Sequence, residues 1–570
     1  MSSLSKFKIN YESLEQLDLD KLKSQYVPCS DDSESLYNPF NISVIQNYIP
    51  TYDIFFNMKQ SNYNEVSLIQ HYHFVDLFHV SDKKNIYEKN VFIKYSPLLD
   101  PIKYMVGKYD LDDGSLRKLP TIENQECNEK ISSKNNSSYV DNFFSYLCSR
   151  LLHHYNFVNF VDYYGTRLCI QDKFKMNITD DYDYLHDSNF FYSHINKHWT
   201  ITKLDMLQQF MGNNSRNNRS KVIISNEMVT LDDLEEINIL NNDDTTILTT
   251  IEEIQDTILT SNDTITLNND DSSDENDDSD SDDDSEEEHS NDDDDENDDE
   301  NDDENDDEND DENDDDVLEI PENVNIFAYI NNFPVQMICL EKCDGTMDSL
   351  FEEELMTEEM AISGLMQVIM ILITLQKAFH FTHNDLHTNN IMYVNTDIEY
   401  LYYEYKNKRY KVPTYGKIYK IIDFGRSIYK FQKQIYCSDS FAPKGDAATQ
   451  YNCKPFLNPN KPIIEPNMSF DLCRLGCSIF DFIFEDVNQK STNSLEETIM
   501  RWTTDDKGVN ILYKQDGSER YPDFKLYKMI ARHVHEHTPE KQLEFDTFKQ
   551  FLNDECANHV MNIDLVHSYV

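Results

Sequence analysis

Glycine is scarce, with 12 in 570 residues, and none precedes Gly107. A glycine-rich loop able to bring backbone amides onto phosphates is thereby excluded from the first hundred residues. The 11 cysteines include no CxxC pair and no regular framework. Scattered cysteines in a large chain exclude a disulfide scaffold and fit a reducing compartment. Positive charge is short as well: 49 Lys and Arg stand against 107 Asp and Glu, a formal net charge of −58. With no basic patch, nucleic-acid binding through phosphate neutralisation is not expected. The opening residues MSSLSKFKIN contain no apolar run, so no signal peptide and no secretion are expected. The most apolar stretch, AISGLMQVIMILITL from Ala361 to Leu375, is too short to span a bilayer. It reads as a buried core helix, and no membrane partner is expected.

What the chain does have is apolar and aromatic bulk. It is 39% hydrophobic, with 35 Tyr and 32 Phe, enough to build a sizeable core in about two to four domains. The negative charge is concentrated. Residues 241–320 hold 40 Asp and Glu and no Lys or Arg, which leaves −18 for the other 490 residues. Asn297 to Asp316 is a tandem tetrapeptide, NDDE four times and then NDDD. Its period is too short for a solenoid. Such a block repels itself and buries nothing, so disorder is expected. It reads either as a docking tail for basic proteins or cations or as a solvated, repeat-expanded insert.

Four regions follow from the pattern. Residues 1–63 show no clear period and read as an N-terminal extension. In 64–174, NVFIKYS (Asn90–Ser96) and GTRLCIQDKF (Gly165–Phe174) read as strands, and Tyr139–Tyr155 carries apolar residues at helical spacing. Residues 175–325 read as an insertion. In 326–570, FPVQMICLEKCDGTMDSLF (Phe333–Phe351) reads as a strand, a polar link and a helix start. An apolar helix over 359–379 comes next. Two aromatic-rich runs flanking KNKR predict a long hairpin within 396–418, and from 470 onward the pattern is helical.

The chemistry gathers in two short stretches, HNDLHTNNIM (His383–Met392) and KIIDFGRS (Lys420–Ser427). Asp385 and Asn390 lie five apart in a loop after a buried helix. Asp423 ends an apolar strand, before a glycine that permits an unusual turn. Phosphoryl transfer needs such a set: a carboxylate for the hydroxyl proton, a carboxylate and an amide oxygen for Mg²⁺, and a remote lysine for the phosphates. Taken singly, Lys94 could be a solvent-facing strand lysine, and Asp385 and Asn390 could be loop caps. His383 and His387 have the i, i+4 spacing of a zinc pair, but Asn384 stands where HExxH has Glu.

Taken in order, these residues resemble the protein kinase family. The His-Arg-Asp-Leu-x-x-x-x-Asn loop is matched by His383, Asn384, Asp385, Leu386 and Asn390, and Asp-Phe-Gly by Asp423, Phe424 and Gly425. VFIK is similar to the Val-Ala-Ile-Lys strand, and SFDLCRLGCSIF to the helix that begins Asp-x-Trp-Ser-x-Gly. HTPEKQ (His537–Gln542) is loosely similar to the closing Asp-Pro-x-x-Arg segment, with Lys541 for Arg. The resemblance implies an α+β, bilobal fold with a small β-rich N-lobe, a mainly helical C-lobe and the acidic block inserted in the small lobe. It implies a Ser/Thr-type protein kinase using ATP and Mg²⁺ on a protein hydroxyl. Asp385 would be the catalytic base, Lys94 the ATP-binding lysine, and Asn390 and Asp423 the metal ligands. Glu341 to Cys343 would meet adenine, Asp348 the ribose, and Asp471 would brace the loop.

Departures from the family matter for function. The Gly-rich loop is missing, Asn384 replaces the arginine that receives an activation-loop phosphate, and Ala-Pro-Glu has only IEPN around Glu465 as a counterpart. His387 replaces a lysine and makes the loop resemble that of aminoglycoside and choline kinases, which would place His387 with Asp385 and Lys94 among the catalytic residues. The helix 139–155 has no Glu, so Asp141 would have to pair with Lys94. A small-molecule kinase and a pseudokinase scaffold therefore remain alternatives. The composition, rich in Asn, Ile, Tyr and Asp, resembles proteins of large cytoplasmic DNA viruses and implies host cytoplasm or the virion. Within the acidic block, Ser273, Ser279, Ser281 and Ser285 sit among carboxylates, the setting an acidophilic kinase prefers. Phosphopeptide mapping of the protein from expressing cells is expected to find these serines modified; their recovery as unmodified peptides would refute this.

Overall fold

The computed structural model describes residues 5–13, 16–122, 126–203, 325–484, 487–522, 524–555 and 559–570. The acidic repeat, its four serines and most of the expected insertion lie outside the described residues.

The strand expected around Lys94 forms as Val91–Pro97, and the one after Gly165 as Tyr163–Asn177. They do not pair with each other. Phe327–Glu341 lies between them, antiparallel to both, with Ile338 opposite both Lys94 and Thr166. This central strand comes from beyond the acidic block. Its run FPVQMICL is buried on both faces, which is why it reads as continuously apolar rather than alternating. Phe327 faces Asn177, so residues 178–326 connect two neighbouring antiparallel strands. Trp199–Ile201 returns from this connection to pair with Ala328–Ile330. Closure entropy grows only slowly with length, so such a connection tolerates a long insertion.

The N-terminal residues read as an extension are part of this sheet. Ile42–Gln46 forms its edge strand against Tyr163–Asn177, and Tyr11–Ser13 pairs with Val66–Leu68. Tyr48, Ile49 and Tyr52 are fully buried. Short strands and isolated aromatic anchors carry no period, so the pattern gave no sign of them. Between the N-terminal segment and Lys94, where a phosphate loop would need glycines, His73–Asp76, His79–Ser81 and Ile86–Glu88 form a separate three-stranded meander. Among the described residues, Val91–Pro97 is therefore an edge strand.

The helix expected from 139 runs from Ser137 to Tyr155, capped by the Asn136 side chain. Asn136 also donates to Leu98 O at 3.0 Å, and the Ser138 hydroxyl lies 2.8 Å from that of Ser96. The helix start is thus fastened to the Lys94 strand. The apolar helix is Glu358–Phe379, begun by a Thr357 cap and ended by His380 in the left-handed region. It is long and apolar enough to cross a membrane, yet 89% of its apolar window is buried inside the protein. The expected hairpin forms as Tyr400–Tyr405 and Lys408–Pro413. Its two turn residues, Lys406 and Asn407, both have positive φ, as a tight hairpin turn requires. Helices Phe470–Ile483, Ser494–Trp502 and Lys525–His533 complete the C-terminal part. The architecture is mixed α+β, with several small, mostly antiparallel sheets.

Tyr52 tests whether the N-terminal segment is integral. Tyr52→Ala is expected to lower unfolding free energy by about 3–5 kcal/mol, as for other buried aromatics. A loss under about 0.5 kcal/mol in urea denaturation would mean the segment merely covers the surface.

Candidate active site

Alternation along Val91–Pro97 puts Lys94 and Ser96 on one face. On the helix, Ser138 and Asp141 are three apart and share a face. The Ser96–Ser138 contact therefore brings Lys94 to Asp141, with Nζ and Oδ2 2.9 Å apart. Asp423 completes the cluster, its Oδ1 2.9 Å from the same Nζ. Asp141 also accepts from the amide of Phe424 through Oδ1 at 2.9 Å. The Phe424 ring packs among Phe144, Phe381 and His383. The unusual backbone expected at Gly425 sits instead at Asp423, with φ 61°. Aspartate tolerates this region because its short polar side chain can bond locally.

One ammonium thus serves two carboxylates, Asp141 buried and Asp423 partly buried. Burial opposes the charge on Lys94, but Asp141 and Asp423 outweigh it and hold the lysine above its ordinary pKa. Asp141 is raised as well, first by burial and then by Asp423, beyond what Lys94 offsets. Both directions follow from a cluster with one positive charge too few. Removing Lys94 would strand the buried Asp141 carboxylate beside Asp423, a change that costs about 3–5 kcal/mol.

The cluster sits where two clefts meet. One encloses about 680 Å³ and is largely apolar, walled by Phe92, Val161, Leu340, Met392 and Ile421 and edged by Glu341–Cys343. The other encloses about 820 Å³ and is polar, with Asp385, Arg426, Asp446 and Lys130 on its walls. Glu341 and Cys343 both line the apolar cleft. The Glu341 carboxylate turns to Lys420 Nζ, 2.6 Å away, and leaves the backbone of this stretch as the edge of the apolar cleft. Asp348 lines neither cleft and accepts from the Thr388 hydroxyl.

Asp385 is positioned from below. Asp471, buried in the helix Phe470–Ile483, accepts from the amides of His383 (3.0 and 2.9 Å) and Asn384 (3.0 Å). His383 is neutral, because burial lowers its pKa, and its Nε2 donates to Ile422 O at 2.8 Å. Asn384 takes positive φ at the bend. The Asp385 carboxylate then receives the Tyr527 hydroxyl on Oδ1 at 2.8 Å and Arg426 Nη1 on Oδ2 at 3.3 Å. Arg474 Nε donates to the Tyr527 oxygen at 2.9 Å, and Arg426 also binds Asp446 through Nε and Nη2 at 3.1 and 3.0 Å. Gly445 is required for the turn that delivers Asp446: a Cβ there would lie 2.1 Å from Ser440 O.

Asn390 donates its amide to Asp385 O at 2.9 Å and faces His387 Nε2 at 3.1 Å. His387 lines neither cleft and so orients this amide from behind. The Oδ1 of Asn390 is buried with no hydrogen-bond partner. The amide of Ile422 bonds Asn390 O at 3.0 Å, which ties the backbone of Asn390 to the residue before Asp423. Among the described residues no three His, Cys, Asp or Glu form a metal-holding group. The available donors are one carboxylate and one amide oxygen, next to a cluster short of positive charge. They suit a hard cation such as Mg²⁺ that takes its other ligands from phosphate and water.

Lys94, Asp141, Asp385 and Asp423 thus line one polar chamber, while Asn390 lines neither cleft and is held to the Asp385 backbone through its amide. Arg426, Asp446, Tyr527 and Arg474 were not expected. Arg426 could have been noticed, because it directly follows Asp423-Phe424-Gly425; Tyr527 lies 142 residues from Asp385 and leaves no local signal. The chain matches no protein-family model and no curated protein.

Burial pushes the Asp471 carboxyl up to about 7, against the two amides that favour its charge and with the Asp385 carboxylate beside it. Between roughly pH 4 and 7 the folded state keeps a proton that the unfolded chain has lost, so this group's contribution to stability falls as pH rises. Asp471→Asn is expected to flatten that part of the profile and to lower stability at pH 5 by about 1–3 kcal/mol, because an amide NH₂ meets backbone N–H groups. Urea midpoints of both proteins at pH 4.5 and 7.5 provide the check; parallel profiles would rule out the titration.

Proposed function

We propose that this chain is a divergent protein kinase that transfers the γ-phosphate of ATP to a hydroxyl. The sheet around Val91–Pro97 and the helix Ser137–Tyr155 form the small lobe in this reading. The stretch Glu341–Cys343 is the hinge, and the part from Met347 onward is the large lobe. The observation that carries it is Lys94 held 2.9 Å from both Asp141 and Asp423, at the junction of an apolar cleft and a polar chamber that holds Asp385.

Adenine enters the apolar cleft. The amides of Glu341 and Lys342 already donate to Asp162 O and Asn90 O at 2.9 and 3.3 Å, so the base edge meets the backbone of Cys343. Lys94 turns to the α- and β-phosphates, as the shared lysine of such sites does. Asp423 and Asn390 would hold Mg²⁺, which when bound neutralises phosphate charge. In the transfer, the acceptor oxygen bonds to the γ-phosphorus while the bond to the β,γ-bridging oxygen breaks. ADP leaves with that oxygen, and the acceptor's proton passes to Asp385.

The acceptor is a protein Ser or Thr in this reading. One observation favours a small molecule instead. Ser440 and Asp446 wall the chamber near Asp385, on a segment fastened by Asp439 to the Ser137 amide at 3.0 Å and to Lys130 at 2.7 Å. Labelled-phosphate transfer from MgATP, to the protein itself and to a generic basic protein, separates these readings. Asp385→Asn is expected to slow transfer by about 10²–10⁴-fold, and Asp423→Ala to abolish it. MgATP binding without protein labelling points to a small acceptor. No turnover, with no thermal shift from MgATP, would overturn the proposal in favour of a scaffold.

A further inference from the structure

Transfer concentrates negative charge at the γ-phosphoryl group, and a preorganised cation there lowers the barrier. Three cationic side chains line the polar chamber among the described residues: Lys94, Lys130 and Arg426. Lys94 is shared by Asp141 and Asp423. Lys130 is anchored on Asp439 at 2.7 Å, on the segment that walls the chamber. Arg426 reaches Asp385 itself through Nη1, at 3.3 Å, and grips Asp446 through Nε and Nη2.

We infer that Arg426 binds the γ-phosphoryl group of ATP beside Asp385 and neutralises the charge that develops there. The inference rests on the phosphotransferase reading and deepens it. A proton acceptor must lie within hydrogen-bond reach of the attacking hydroxyl, and that hydroxyl within about 3–3.5 Å of the phosphorus. A guanidinium bonded to the acceptor carboxylate is therefore already next to the transferring group. Its planar fork, which bonds two carboxylates here, matches phosphate oxygens equally well. The role also answers two absences. No glycine precedes Lys94 to supply backbone amides, and His387, which stands where the family has a lysine, faces Asn390 rather than the chamber.

The test compares the full chain with Arg426→Lys and Arg426→Ala, by calorimetric binding of MgADP and MgATP and by ATP turnover. MgADP lacks the γ-phosphate, so its affinity is expected to stay within about twofold in both variants, while the preference for MgATP over MgADP shrinks. Turnover is expected to fall about 10²-fold in Arg426→Ala with KM for MgATP rising as its affinity falls, to fall less in Arg426→Lys, and to recover in Arg426→Ala on adding guanidinium ion. Arg426→Lys keeps a charge between Asp385 and Asp446, so it remains informative should Arg426→Ala fail to fold. Equal losses of MgADP and MgATP affinity, or turnover within threefold of wild type in Arg426→Lys and, where it folds, in Arg426→Ala, would overturn the inference and leave the kinase reading standing. Wild-type protein that binds neither nucleotide would overturn both.

Discussion

The salt bridge of Lys94 with two carboxylates is the constraint on which the site depends. Each partner belongs to a different element: Lys94 to an edge strand, Asp141 to the helix Ser137–Tyr155, and Asp423 to the turn after Lys417–Ile421. Because the charges are buried, none can be left unpaired cheaply. The helix must keep its first turn on the strand, which the Ser96–Ser138 and Asn136–Leu98 contacts ensure. The turn must present Asp423 with a left-handed backbone, which the Asp141–Phe424 hydrogen bond and the aromatic packing of Phe424 hold in place.

A second network positions Asp385 by the same logic of buried charge. Asp471 takes up the backbone amides beneath the loop, while Tyr527 and Arg426 address the two carboxylate oxygens. Four stretches of chain, around residues 385, 426, 471 and 527, are tied together at this loop by two carboxylates, Asp385 and Asp471. The two networks meet in the polar chamber.

The long connection starts and ends at neighbouring strand ends, Asn177 and Phe327. Tyr163–Asn177 and Phe327–Glu341 are neighbours in register along most of their length, so whatever joins them leaves the sheet at one end. The strand that returns from beyond the acidic block pairs with the Lys94 strand and then supplies the edge of the apolar cleft.

Local order was legible in the sequence wherever a period or a motif could carry it. The Lys94 strand, the two long helices, the KNKR hairpin and the spacing of Asp385, Asn390 and Asp423 all depend on residues close in the chain. Asp141 could be singled out because it is the only carboxylate on its helix. The N-terminal edge strand, the bond of Asp348 to Thr388 and the placement of His387 behind Asn390 were not legible, since each is settled by a neighbour that packing supplies. Tyr527 and Asp446 are the clearest cases: nothing beside them in sequence marks them, and only the tertiary structure brings them to Asp385 and Arg426. The sequence by itself determined which elements form and which groups could carry chemistry, through short-range sterics and periodicity. The tertiary structure decided which of those groups face one another, because pairing buried charges is a long-range condition that no local pattern encodes.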